Sequence, residues 1–497
     1  MKYFDSIKER LSALLPMWLV IILVAIWSVA IQDGYINRDG LLYLKQAYLI
    51  AEDNWKEGLA LYPWPFFSIL IASLHKITGL HLMVAAHALD LALFGIAAWF
   101  YLKTLKFIYK QKHIIFYGGI ILLSFIPIMD DYVGMMLRDH GLWAGCMMGT
   151  YFYFVYLKEN TFNNNLLWQL SFSFAGLFRP EAFVFLVLIP ILHLFLFSNQ
   201  QFKWLNIQKL VQHYLVVLGY TLYLLINKVF LSSGELVSDQ GSRLGEFIPR
   251  LLDFFKQITS PLPITSNHPY LTDILTNYPL TITFGLLLAI LLVKWLKGLG
   301  LLLGGLLFYG LYKRLDKDFD NSIKVTLYFY IVISFVLVAM NLFNVYVLSN
   351  RYWVCHWFWL SIFVTPFLVE FFQAKHSTIK TYLKPLVAIF IVLSILSSLI
   401  DSQKSSIEVD AAKYFKENGS TESVKLISAE RVAYYSGFTM KELIEALNPE
   451  LQNTQFVIYQ GNQSDADTIL GSDYQLEKSF MKNNQGIFIF KKLDYVH

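Results

Sequence analysis

The chain has little charge. Asp, Glu, Lys and Arg make up 15% of its 497 residues, against roughly 25% in an ordinary soluble domain. So few charges cannot coat the water-facing surface of a chain this long, which argues against a soluble globular protein. The basic excess is also small, 40 Lys and Arg against 36 Asp and Glu. These basic residues fall in short loops between apolar segments, where they read as topology signals rather than a nucleic-acid footprint. Cysteine is almost absent. The two present, Cys146 and Cys355, lie inside apolar segments and are expected to pack helices rather than form a disulfide or ligate a metal. A Walker or dinucleotide glycine motif is missing, so nothing points to nucleotide-driven chemistry. There is no internal repeat and no low-complexity tract.

What is present is apolar. The chain is 56% hydrophobic and 17% aromatic, with a mean hydropathy of +0.49. Runs long enough to cross a bilayer, about 20 residues each, recur from Leu14 to Ile400. The composition predicts a polytopic α-helical membrane protein. No small-residue cleavage site follows the first run, so it is read as a retained span rather than a signal peptide.

The loops set the expected topology. Lys2, Lys8 and Arg10 precede the first span, Pro16 to Ile31, and place the N-terminus in the cytoplasm. The next basic loop carries Lys103, Lys106, Lys110 and Lys112. Only one crossing, Leu82 to Leu102, then returns the chain, which leaves Gly40 to Gly79 outside, on or in the outer leaflet. Within that stretch Leu41, Leu42, Leu44, Ala47, Tyr48 and Ala51 alternate with Lys45, Gln46, Glu52 and Asp53 at helical spacing, the pattern of an interfacial helix. A second short helix, Phe66 to Leu74, is opened by Pro63 and Pro65. Further spans are expected at 113–129, 141–157, 166–177, 182–198, 209–231, 279–297, 324–341, 353–373 and 385–400, which makes 11 crossings, or up to 13 on a looser count. The segment Leu299 to Tyr312, with Gly304-Gly305 inside it, reads as re-entrant or as part of a bent helix.

The expected organisation is a transmembrane catalytic region, 1–400, with a first outer loop at 33–81 and a long outer loop at 232–278. A small soluble α/β domain, 401–497, follows on the extracytoplasmic side. Its expected helices are Val409 to Glu417 and Thr439 to Leu447, and its strands are Val424 to Ile427, Gln455 to Tyr459 and Gly486 to Phe490.

Charged groups beside membrane spans are costly and are functional candidates by default. On this topology the outer edge collects Arg38 and Asp39, then Arg138, Asp139 and His140, then Arg179 and Glu181 around Pro180, then Arg351 and Tyr352. An interhelical ion pair is the bland reading of Arg179 with Glu181, and a snorkelling side chain that of Arg351. Asp130 and Asp131 read as a solvated loop, and Arg243, Arg250 and His268 lie in the long outer loop. His75, His81 and His87 are six residues apart, which is not a one-face helical spacing, and read as packing or interfacial residues. A carboxylate such as Asp39 can serve as general base. Arginines can hold a phosphate as it leaves. Together these suit group transfer from a lipid phosphate.

The motifs resemble a known family. Arg38-Asp39-Gly40-x-x-Tyr43-x-x-x-Ala47, followed by Tyr62-Pro63-Trp64-Pro65, resembles the first outer loop of GT-C fold integral-membrane glycosyltransferases. The branch is that of the protein O-mannosyltransferases and the lipid A aminoarabinose transferase. Leu137-Arg138-Asp139-His140 resembles that family's second outer-loop motif, and Asn350-Arg351-Tyr352 its late Arg-Tyr element. Asp410-Ala411-Ala412-Lys413-Tyr414-Phe415 and Ala433-Tyr434-Tyr435-Ser436-Gly437 are similar to the start of its outer domain. The chain departs from the pattern at Gly40, where many relatives carry Glu, and at Pro63-Trp64-Pro65-Phe66, where close relatives carry Pro-Pro-Leu.

The resemblance implies a GT-C fold, a polyprenyl-phosphate sugar donor, a lipid, glycan or protein acceptor, and Asp39 as the catalytic carboxylate. Arg138, Asp139 and Arg351 fall where the family's donor-phosphate or acceptor contacts are expected, and the outer-edge pattern adds Arg38, His140, Arg179, Glu181 and Tyr352 as candidate substrate-binding residues. No cofactor and no metal are required, and if a divalent ion were held, Asp39 with Asp139 would be its pair. A bacterial inner membrane is the expected location. Two other readings stay open. One is an oligosaccharyltransferase, glycan polymerase or ligase using a lipid-diphosphate donor. The other is a transporter or flippase of sugar-linked lipid without chemistry.

Overall fold

A computed structural model describes residues 2–32, 35–109, 111, 113–129, 132–197, 211–219, 278–313, 320–345, 348–373, 378–399, 407–419, 424–447, 454–462, 465, 470, 473–482 and 485–493. Asp130, Asp131, Arg243, Arg250, His268, most of the span expected at 209–231 and all but the last residue of the long loop expected at 232–278 lie outside these residues. The chain divides into two compact units, Met1–Asp33 with His87–Ile400, and Gly34–Ala86 with Asp401–His497. The first outer loop, assigned from sequence to the transmembrane region 1–400, therefore groups with the C-terminal residues instead.

The first unit is helical among its described residues. Among the described residues, four helices are long and apolar enough to cross a membrane: Leu82–Ile108, Thr281–Gly300, Asn321–Phe343 and Asn350–Gln373. Shorter apolar helices accompany them, among them Leu14–Ala30, Ile114–Leu123 and Leu383–Ser397. This fits a helical membrane protein, while the count of 11 crossings is not reached by that measure. Several expected spans are short for a reason visible in the chain. The run expected at 113–129 is cut at Ser124 and Phe125 into Ile114–Leu123 and Ile126–Met129. The helix Pro279–Tyr312 bends at Gly300, whose φ of 60° and ψ of −179° suit a residue without Cβ. Residues 302–312 are thus the second arm of a bent helix.

The helices Asp139–Glu159 and Phe162–Phe178 run against each other as a hairpin. Gly141, Gly145 and Gly149, four residues apart, line the seam and face Phe178, Ala175 and Phe172. A Cβ at Gly145 would lie 2.6 Å from Ala175 Cβ, so only glycine allows this approach, as in small-residue seams of membrane helices. The seam has a consequence at its open end, where Asp139 starts one helix and Arg179 ends the other.

The second unit combines the 34–86 segment with a four-stranded sheet of order β1-β2-β4-β3. Here β1 is Val424–Ile427, β2 Phe456–Gly461, β3 Tyr474–Lys482 and β4 Gln485–Lys492. β1 is parallel to β2, and the other pairs are antiparallel. Val457, Tyr459, Phe488 and Phe490 form the core of one face. On the helix Ile407–Asn418, Phe415 meets Phe456 at 5.7 Å. β3 was not expected from sequence. A register shift between Leu476 and Lys478 breaks the alternation that would have marked it.

The helix Arg38–Ala51 corrects a second expectation. Its residues Lys45 and Gln46, read as the water side of an interfacial helix, are 3% and 0% exposed. The Lys45 ammonium pairs with Glu430 at 2.5 Å. The Gln46 amide donates to the carbonyls of Gly58 and Tyr62 at 2.8 Å. These polar groups are inside because the unit supplies partners for them, so the helix is a core element and not a surface one.

Candidate functional site

The open end of the glycine seam carries most of the charged residues singled out from sequence. Asp139 opens its helix, and Arg179 follows Phe178 in extended conformation before the 3-10 turn Pro180–Ala182. An Arg179 terminal nitrogen donates to Asp139 Oδ1 at 2.5 Å, and the other terminal nitrogen to Glu181 Oε1 at 2.9 Å. The Arg179 Nε donates to Glu181 Oε2 at 3.4 Å, which completes a fork on that carboxylate. Arg179 and Asp139 are 6% and 1% exposed, so the pair is withdrawn from water.

Two more arginines act on the same carboxylates. Arg351 and Arg138 both interact electrostatically with Asp139, and Arg138 also with Glu181. The Tyr352 ring lies between two guanidinium groups, 4.6 Å from that of Arg179 and 5.3 Å from that of Arg351. The 3-10 turn Asn350–Trp353, just before the helix Val354–Gln373, sets both residues in place. Among the described residues the cluster brings together three arginines and two carboxylates.

A cleft opens beside the cluster. Arg179, Glu181 and Tyr352 lie on its wall, and Phe185, Leu337 and Trp359 line its apolar part. Trp359 is held by a hydrogen bond from its indole nitrogen to Thr150 Oγ1 at 2.8 Å. It also stacks on Tyr330, with ring centroids 5.0 Å apart. The arrangement can receive an anionic group at its charged edge and an apolar chain against its aromatic wall.

No protein-family model and no curated protein matches this chain.

His140 has a different setting from its neighbour Asp139. Its Nδ1 lies 2.9 Å from Asp90 Oδ1, and its ring packs against Trp143 and Phe94. The Leu137 amide donates to the other Asp90 oxygen at 3.3 Å. Asp90 thus pins the turn that leads into Arg138 and Asp139. Sequence reasoning passed over Asp90, although an acid within the apolar run Leu82–Ile108 was the available signal.

Arg38 and Asp39 belong to the second unit. They form the first turn of the helix Arg38–Ala51, where the exposed N–H groups favour an acid at Asp39. Arg38 is exposed, Asp39 half-buried and Gly40 buried. The approach to this turn is fixed by Tyr435, whose hydroxyl accepts from the Ile36 amide at 3.1 Å and donates to the Ile36 carbonyl at 3.3 Å. Burial pushes the Tyr435 hydroxyl above its ordinary range, which keeps it protonated as that donor. Among the described residues no group of three or more His, Cys, Asp or Glu is placed to hold a metal ion.

Proposed function

We propose that this protein transfers a sugar from a polyprenyl-phosphate donor to a lipid, glycan or protein acceptor at the extracytoplasmic face of a membrane. The reading belongs to a GT-C-like architecture with more crossings than the four clearest helices, in a bacterial inner membrane. The observation that carries it is the cluster of Arg138, Asp139, Arg179, Glu181 and Arg351, the first three of them buried, beside an apolar cleft. A lipid phosphate needs both an anion site and an apolar wall, and the two occur side by side.

The chemistry assigned is a single displacement with inversion. The acceptor oxygen or nitrogen bonds to the anomeric carbon while the bond from that carbon to the phosphate oxygen breaks. The acceptor's proton passes to a carboxylate, and the polyprenyl phosphate leaves with the bonding electrons. Asp39 is the base by resemblance, as it occupies the motif position of the family's carboxylate. Arg351 and Arg138 are assigned to the departing phosphate for the positive charge they bring to the cluster.

The test is reconstitution in nanodiscs with polyprenyl-phosphate sugars and with their diphosphate counterparts, read by loss of the lipid-linked sugar. Consumption of a monophosphate donor that Asp39→Asn and Arg351→Ala both abolish is the expected result. Consumption of diphosphate donors alone would replace it with the ligase reading. Movement of intact donor across liposomes without consumption would replace it with a flippase.

A further inference from the structure

The second unit exposes a group of apolar side chains between residues 55 and 80, apart from Val84, Met481 and Leu493, which are exposed elsewhere in it. The short helix Trp55–Leu61 presents Trp55, Leu59 and Leu61, at 45%, 46% and 37% exposure. The end of the helix Phe66–Thr78 presents Ile77, at 82%, and the turn after it Leu80, at 39%. Trp55 and Leu59 are four residues apart and share one helix face.

One ion pair brings the two helix ends near each other, and a cap shapes the second end. Lys76 pairs with Asp53 at 2.8 Å, which sets the start of the first short helix beside the last turn of the second. Gly79, in left-handed conformation with φ 70°, ends that second helix, and His75 Nδ1 lies 2.6 Å from the Leu80 carbonyl. The cap folds Leu80 back onto the turn that carries Ile77. The product is a tip of aromatic and branched aliphatic side chains among Lys56, Lys76 and His75.

An apolar tip facing water is costly, and its composition and chain position say what covers it. Trp at the edge of an apolar group, with Lys nearby, is the pattern of the membrane–water interface. Leu80 stands just before Leu82–Ile108, one of the four helices long and apolar enough to cross a membrane. A chain entering a bilayer at Leu82 holds Leu80 and Ile77 at headgroup depth.

We propose that the tip formed by Trp55, Leu59, Leu61, Ile77 and Leu80 inserts into the boundary between the lipid headgroups and the acyl chains. The helix Arg38–Ala51, which the sequence pattern assigned to that place, is held inside the unit instead. The interfacial anchor is the tip that this helix supports, and it does not depend on the glycosyl-transfer reading.

The test uses single cysteines carrying an environment-sensitive fluorophore, in full-length protein with Cys146 and Cys355 replaced by alanine, reconstituted in phosphatidylcholine liposomes. Ile77→Cys and Leu59→Cys report the tip. Lys441→Cys, at a position whose side chain is 72% exposed in the same unit, reports water. Brominated phosphatidylcholine is expected to quench the two tip labels at least twofold more than the Lys441 label, with aqueous iodide showing the reverse order. Tip labels that behave like the Lys441 label overturn the proposal. So do tip labels shielded from both quenchers that crosslink between two copies of the chain. Trp55→Cys and Leu80→Cys provide the same reading should either first variant fail to fold.

Discussion

Two helices of the first unit look alike in sequence and differ in place. Thr281–Gly300 and Asn350–Gln373 are 20 and 24 residues long and both strongly apolar, yet 22% of the first is buried and 94% of the second. The buried helix carries groups that need partners, such as His356, which accepts from the Trp295 indole nitrogen at 2.9 Å, and Trp359, which donates to Thr150. The other turns Leu286, Leu292, Val293 and Leu296 outward. Apolarity alone thus marks a segment for removal from water. Polar atoms that require partners, and aromatic volume that requires a fitted cavity, mark the one enclosed by protein.

The largest effect expected from this contrast concerns charge within the enclosed region. Arg179→Ala leaves Asp139 buried without its closest partner, which costs on the order of 3–5 kcal/mol. Thermal unfolding in detergent should show it. By contrast, Lys76→Ala breaks an ion pair with 46% and 78% exposed side chains and should cost no more than about 1 kcal/mol. Equal losses from the two variants would break the comparison.

Packing should separate the two helices in the same way. Trp359→Ala removes a buried ring and is expected to cost about 3–5 kcal/mol. Leu292→Ala, at a 41% exposed position, should stay within about 0.5 kcal/mol. Similar shifts in unfolding temperature for both would mean that the outward face of Thr281–Gly300 is covered after all.

A modest effect is expected at a helix cap of the second unit. Thr439 caps the helix Met440–Glu445 in a reciprocal box with Glu442, so Thr439→Ala should cost about 1 kcal/mol. Hydrogen bonds from the Thr439 amide and hydroxyl hold the Glu442 carboxyl below its usual value of 4.5. A lowered folded value means that stability is present above that range and is lost as the pH falls through it. Glu442→Gln should therefore unfold at a temperature less sensitive to acid than wild type between pH 5 and pH 3, roughly. An unchanged acid slope would show that the box contributes nothing measurable.

Much of the fold was legible. The helical class follows from apolar runs, and β1, β2 and β4 follow from short β-branched and aromatic segments. β3 was hidden because its bulge shifts the alternation partway along. The site was legible in part. Asp139, Arg179, Glu181, Arg351 and Tyr352 stood out as charges or a ring at the edges of apolar runs, and they do meet. His140 stood out equally, yet it is engaged by Asp90, a partner 50 residues away that no local pattern announces.

The sequence by itself determined which segments leave water and which residues carry charge at their ends, because hydropathy and charge are properties of each residue alone. It did not determine that Lys45 and Gln46 lie inside, since that depends on Glu430 and two distant carbonyls being present to receive them. Nor did it determine which apolar helix is enclosed, or that residues 34–86 group with the C-terminal residues. Those outcomes depend on pairs of groups far apart in the chain, and only tertiary structure brings such pairs within bonding distance.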